Sequence, residues 1–316
     1  MLAYYLHTMS PFLWEIRPGF GLRWYGLSYV LAFYCGYLLY YRLSKKGYSQ
    51  IPPDQVSDFI TLAAVFGVLL GGRLGWVLFY GLQQESHDHW YWPVEVWSGG
   101  MASHGGILGL LFFTLWYAKK HHYSWTSIGD SLCVVAPVGL FFVRCANFIN
   151  GELYGHPTNV PWAVQFASEL REKPELLQKA IGNTPLPDDP NAIAQMADAT
   201  INLARHDPSV ADRLREILPA RHPSQLYEAL LEGVVLFSIL WFMRTKLRVP
   251  RGVISGAFFI CYALLRILGE VFRIPDPAWH MGPFSAGQFL SLFMILIGAA
   301  FIFYGYKYPE YEKAQE

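Results

Sequence analysis

The sequence predicts an all-α polytopic membrane protein of about seven transmembrane helices with a small extracytoplasmic helical insert. Of 316 residues, 53% are hydrophobic and only 15% charged, against about 25% charged in soluble domains. Apolar runs of about 20 residues recur, the length a helix needs to cross a bilayer. Those runs lack period-two alternation, which argues against a β-barrel. Formal net charge is zero, which argues against nucleic-acid binding.

Each element follows from local composition. Residues 1–20 are aromatic with Pro and Gly breaks and are expected at an interface; no basic region with a cleavage site marks a removable signal peptide. Span one is expected over 22–41, closed by Arg42, Lys45 and Lys46. Span two, over 58–80, carries Gly67, Gly71 and Gly75, a small-residue ladder suited to close helix packing. The 81–102 loop has no Lys or Arg; its His87-Asp88-His89 triplet lacks an evident third metal ligand and reads as solvated loop. Span three opens at His104 and ends at Lys119, Lys120, His121 and His122; span four covers 128–143. Residues 156–222 mix both charge signs with Pro and Gly breaks and amphipathic patterns, so they are expected to form an extramembrane helical insert. Spans five to seven follow over 223–243, 252–272 and 284–306. The chain therefore divides into 1–155, the insert 156–222, and 223–316.

Lys and Arg cluster after spans one, three and five, and the loop between spans two and three has none. The positive-inside rule then places the N-terminus, 81–102 and the insert outside and the C-terminus in the cytoplasm. With that orientation, polar residues from several helices fall near the outer face: Tyr25, Arg73, His104, then Arg144, Asn147 and Asn150 at helical spacing, then Tyr262, Arg266 and Glu270 four apart, with Arg273 beyond. The inner ends are expected to hold no comparable cluster. Arginine near a bilayer core costs about 2.5–3.5 kcal/mol on insertion scales and needs a partner or a wet cavity. One reading of Arg144 is a snorkelling side chain with a capping Asn. The other counts Arg73, Arg144 and Arg266 against Glu152 and Glu270, an excess of positive charge suited to an anionic headgroup, with each carboxylate orienting its neighbouring arginine. Gly151 and Gly155 end the helix and let backbone approach closely. Cys35, Cys133, Cys145 and Cys261 lie in apolar runs without metal-ligand spacing and read as packing residues. No metal or cofactor is expected.

FFVRCANFINGELYG at 141–155 resembles the signature of the prolipoprotein diacylglyceryl transferase family, departing from it in Val143, where a Gly is usual. SHGGILG at 103–109, RHPSQLYEALLEG at 221–233, RWYGLSY at 23–29 and YALLRILGEVFR at 262–273 also resemble family segments. The resemblance covers all the spans and only poorly the insert. It implies transfer of a diacylglyceryl group from phosphatidylglycerol to the lipobox cysteine of a prolipoprotein, with release of glycerol-1-phosphate, in the bacterial inner membrane near its outer face. The substrate then supplies the nucleophile. A thiol with pKa about 8.5 needs a base near neutrality, and His104 either serves as that base or orients the headgroup. Arg144 and Arg266 would stabilise charge growing on the leaving phosphate. Asn147 and Tyr25 would hold headgroup oxygens, Gly105 and Gly106 would admit lipid, and Arg73, Asn150, Glu152, Gly155, Tyr262, Glu270 and Arg273 complete the expected binding set. Pro223 and Ser224 are read as helix entry and cap, with Gln225, Tyr227 and Glu228 as possible cavity lining. A transporter or flippase of an anionic lipid or solute would use the same arginines, but no internal repeat is present and the polar layer is off-centre.

Overall fold

The computed structural model describes residues 4–17, 20–83, 90–95, 100–182, 184–274, 280–281 and 284–315. The His87-Asp88-His89 triplet lies outside them. Long helices run over Trp24–Lys45 (α1), Pro53–Phe79 (α2), Ser103–His121 (α3), Trp125–Asn150 (α4), Ser224–Lys246 (α8), Val253–Glu270 (α9) and Ala286–Lys307 (α10). Five of these helices, α2, α4, α8, α9 and the Phe289–Lys307 stretch of α10, are long and apolar enough to cross a membrane. The other two are more polar: α1 is tyrosine-rich, and α3 opens on Ser-His and closes on Lys-Lys-His. The chain separates into two compact units, residues 1–32, 137–236 and 261–295, and residues 33–136, 237–260 and 296–316.

In the first unit the insert folds as helices Pro174–Ile181 (α5), Pro190–His206 (α6) and Pro208–Ile217 (α7) around Leu170, Leu177, Ala197, Ile201 and Leu214. Asp189 and Asp207 start α6 and α7 by accepting from the amides of Asn191 (3.0 Å) and Ser209 (2.9 Å), with Pro at the first helical position of each. The all-helical expectation needs correcting here. Tyr5–His7 (β1) pairs in parallel with Val164–Phe166 (β4), which pairs antiparallel with Ala220–Arg221 (β5). Phe12–Arg17 (β2) and Phe20–Arg23 (β3) form a hairpin. Partners more than 150 residues apart leave no local pattern, so the sequence did not announce this sheet. At its edge, Glu169 is fully buried and accepts from Arg221 Nη2 (2.7 Å) and Lys173 Nζ (2.6 Å).

In the second unit the glycine ladder sets the packing. A Cβ on Gly75 would stand 2.6 Å from the Cα of Gly105, and one on Gly71 would stand 2.8 Å from the Cα of Gly109. α2 and α3 thus touch backbone to backbone. Gly105 is consumed by this contact, so helix packing rather than lipid approach accounts for it; Gly106 has only the Val68 carbonyl, at 3.5 Å. A second correction concerns charge. Asp130, Arg244 and Glu312 form a buried cluster that includes none of the predicted site residues. Asp130 accepts from the amides of Gly252 and Ser255 (2.8 Å each) and the Ser255 hydroxyl (2.7 Å), and Arg251 pairs with Glu310 and Glu312. Arg244 looked like a loop cation because its carboxylates lie more than 60 residues away in sequence.

His7 gives the head a measurable pH response. Its ring packs edge-on against Phe148 (5.1 Å) and beside Phe166 (5.2 Å), and burial lowers its pKa to about 4, with Arg205 adding to the effect. Between about pH 6.5 and 4 the unfolded chain binds this proton and the folded chain does not, so stability falls as pH falls, by up to about 3 kcal/mol. Thermal unfolding from pH 7.5 to 4.5 is expected to show this loss in the wild type and a reduced slope in His7→Phe.

Candidate functional site

The first unit gathers three of the four predicted arginines, Arg144, Arg266 and Arg273, around two carboxylates on α8. Ser224–Glu228 is α-helical, and Ala229–Val235 continues in wider turns bonded five residues apart. Such π turns are rare and often occur at functional sites. Glu228 and Glu232 flank the first of them, face the same side and are fully buried. Glu228 meets Arg144 Nη1 at 3.0 Å, Arg266 Nη1 at 2.8 Å and Arg273 Nη1 at 3.4 Å. Glu232 Oε2 accepts from Arg144 Nε (3.1 Å) and Nη2 (3.0 Å), and its Oε1 accepts from Arg266 Nη1 (3.3 Å). Carboxylates removed from water cost several kcal/mol each unless paired, and the three arginines supply that pairing.

Three guanidiniums meet two carboxylates in this ion-paired set, and Glu270 acts on Arg266 as a third. The pairing is uneven. All three nitrogens of Arg144 face carboxylates. Arg266 is held through Nη1 alone and keeps 16% of its side chain exposed; its Nε and Nη2 make no hydrogen bond among the described residues. Two parallel donors on one face of a fixed guanidinium match two oxygens of a phosphate.

A second group lies where α4 ends. Asn147 is buried and donates from Nδ2 to Glu152 Oε1 (2.6 Å) and to the Tyr25 hydroxyl (3.4 Å). Gly151 takes φ +67°, the left-handed turn that ends a helix. The side-chain carbonyls of Asn147 and Asn150 are buried without a hydrogen-bond partner among the described residues, two acceptors that a hydroxyl donor would satisfy. The predicted Arg144–Glu152 pairing is therefore corrected: Glu152 holds Asn147, and Glu232 holds Arg144. Helix entry is corrected too. The Ser224 hydroxyl donates to the Leu153 carbonyl (2.9 Å) and Gln225 Nε2 to the Glu152 carbonyl (2.6 Å), so these side chains fasten α8 to the turn after α4. The backbone that approaches Gly155 is protein: its amide donates to the His222 carbonyl (2.9 Å), and a Cβ would strike His222 and Phe272. Gly155 bridges to Arg273, three residues beyond the end of α9. Tyr262 lies one turn before Arg266 on α9 and Glu270 one turn after it, both part-buried.

Arg73, His104, Gly105 and Gly106 belong to the second unit. Arg73 is buried; its guanidinium donates to the carbonyls of Pro93 (2.8 Å), Gly100 (3.1 Å) and Trp92 and lies 4.6 Å from the Trp76 ring. It organises the loop between α2 and α3. His104 is exposed in the first turn of α3, on a cavity of about 350 Å³ lined also by Trp76, Tyr80, Met101 and Ala102. Glu232 is the residue that sequence reasoning missed. Its signal was its spacing of four from Glu228 in an apolar helix, where any carboxylate demands a partner.

The sequence model described as prolipoprotein diacylglyceryl transferase matches residues 11–304. The chain belongs to this family. It is 37% identical to the phosphatidylglycerol–prolipoprotein diacylglyceryl transferase of Bdellovibrio bacteriovorus over 93% of this chain and 92% of that one. The protein of the same name from Rhodospirillum centenum is 40% identical over 92% and 90%, and that of Sodalis glossinidius 38% identical over 97% of each. These names agree with the transferase reading and not with the transporter.

The pairing geometry makes Glu232 a stability determinant. Glu232→Ala leaves Arg144 and Arg266 under-neutralised in a buried site and is expected to cost about 3–5 kcal/mol. Glu152→Ala removes one hydrogen bond to Asn147 and is expected to cost about 1–3 kcal/mol. Unfolding of the two variants in matched micelles checks this order.

Proposed function

We propose that this protein is a membrane transferase that moves the diacylglyceryl group of phosphatidylglycerol to the thiol of a prolipoprotein lipobox cysteine. The observation that carries the reading is the Glu228/Glu232 arginine cluster, with the spare donor pair of Arg266. In the reaction, the substrate thiolate attacks the glycerol carbon, the carbon–oxygen bond to phosphate breaks, and glycerol-1-phosphate leaves as a thioether forms. Negative charge grows on the phosphate, where Arg266 contributes Nε and Nη2 and Arg144 supplies a fixed positive field. Asn147 and Asn150 present carbonyl acceptors to the headgroup hydroxyls, and Tyr25 and Tyr262 offer phenolic hydroxyls to the headgroup. Glu228 and Glu232 position the arginines. His104 accepts the thiol proton. Arg73 acts indirectly, by supporting the loop that leads into His104.

Seven spans, with α1 and α3 joining the five apolar helices, and an N-out, C-in orientation in the bacterial inner membrane complete the proposal. Tyrosines at helix ends suit the membrane interface, which accounts for the lower apolarity of α1. The head and the arginine cluster then face the outer side, where a prolipoprotein presents its cysteine after export.

The direct test is purified protein with phosphatidylglycerol vesicles and a lipobox peptide, read by mass spectrometry for a thioether product. Transfer of lipid label without covalent product would overturn the reading. Arg266→Lys keeps the charge but loses the planar fork, and turnover is expected to fall about 10²–10³-fold. Arg144→Lys also breaks the side-on pair with Glu232, so it is expected to lose both turnover and stability. Orientation has its own check. A reporter active only outside the cell should be silent when fused after Lys120 or Arg248 and active within 184–206; the reverse pattern would invert the topology.

A further inference from the structure

The β2–β3 hairpin is apolar on both faces, and none of its large apolar side chains is buried. Leu13, Trp14, Ile16, Phe20 and Leu22 are all exposed, Trp14 to 72% and Ile16 to 69%. The register explains why no face is polar. Strand pairing shifts between Phe12 and Trp14 and again between Glu15 and Arg17, so simple alternation is broken. Gly21 permits the first close crossing: a Cβ there would stand 2.8 Å from the Cα of Glu15. An isolated two-stranded hairpin is marginal in water even with one covered face.

Both roots of the hairpin are fastened. Arg205 of α6 donates to the carbonyls of Thr8 and Met9 just before it. The amide of Trp24, the first residue of α1, donates to the Pro11 carbonyl at 3.1 Å. The body between these roots therefore projects from a fixed base. Its charges are also arranged. Arg17 lies 4.9 Å from the Phe20 ring and Arg23 5.0 Å from the Phe12 ring, and neither makes an ion pair among the described residues. Glu15, the hairpin's one acid, lies in the field of Arg205. What remains is an aromatic and aliphatic body with two arginines held flat on it.

We propose that this hairpin is an interfacial paddle, whose occupant is the headgroup and upper acyl region of a bilayer carrying anionic lipid. Trp, Phe, Leu and Ile beside Arg is the composition that lies in a membrane interface. Two arginines without an ion pair among the described residues favour phosphate-bearing anionic headgroups. The hairpin is continuous with α1, whose first turns expose Tyr29 and Val30. Two residues beyond Arg23 stands Tyr25, whose hydroxyl accepts from Asn147. Docking thus holds one wall of the headgroup site against the surface that supplies phosphatidylglycerol. This last step rests on the transferase reading; the docking itself does not.

The test places an environment-sensitive fluorophore on Ile16→Cys, with labelled parent protein as background. The protein is reconstituted in phosphatidylglycerol–phosphatidylcholine vesicles containing lipids spin-labelled at a shallow or a deep acyl position. Quenching by the shallow label, stronger than by the deep one, is expected. An unquenched probe overturns docking, as does a probe shielded only by added lipobox peptide or only at raised protein density, which would assign the face to a peptide or to a second copy. The activity arm uses Trp14→Ser with Ile16→Ser. The KM for vesicle phosphatidylglycerol should rise about tenfold, with kcat and the thermal midpoint retained. A fall in kcat at unchanged KM overturns the supply role. Because quenching is read without turnover, a failed transferase assay and a failed docking are told apart.

Discussion

Two carboxylates without water set the terms for the first unit. Glu228 and Glu232 are fully buried in an apolar helix, and each ionised carboxylate there costs several kcal/mol unless cations meet it. Arg144 from α4 and Arg266 and Arg273 from α9 and its exit do so. The same bonds draw three parts of the chain together, α4, α8 and α9, and fix the planes of the guanidiniums. The donors that point away from the carboxylates are thereby held in fixed directions. The carboxylates that make the arginines tolerable also make them directional.

Around this cluster the backbone does much of the positioning. Ser224 and Gln225 reach the carbonyls of Leu153 and Glu152, and Gly155 meets the backbones of His222 and Phe272. The turn after α4, the start of α8 and the end of α9 are thereby tied at points where only small or amide-bearing residues fit. The head adds its own constraint through β1 and β4, because Phe148, in the last turns of α4, packs against Phe166 of that sheet and His7. In the second unit, Gly67, Gly71 and Gly75 bring α2 against Gly105 and Gly109 of α3, and that contact sets the position of His104.

Membrane character and the identity of the site were legible because they are local. Apolar runs of spanning length, arginine three residues from asparagine, and the Gly-xxx-Gly ladder all express their physics within a few turns of one helix. The family signature is likewise carried by short segments. Hydrophobicity, spacing and backbone bulk act between near neighbours, so the sequence by itself determined the helical membrane class, the glycine packing and most of the polar residues proposed for the site. Pairing across the fold is different. Arg144 meets Glu232 across 88 residues, Asp130 meets Arg244 across 114, and β1 meets β4 across more than 150. Nothing near Arg144 in sequence excludes Glu152 as its partner; only the placement of α8 beside α4 decides for Glu232. Which carboxylate holds which arginine, which donors remain for a ligand, and which glycines face protein rather than lipid were settled by tertiary structure, because ion pairs and close contacts depend on distance in space and carry no mark in the local sequence.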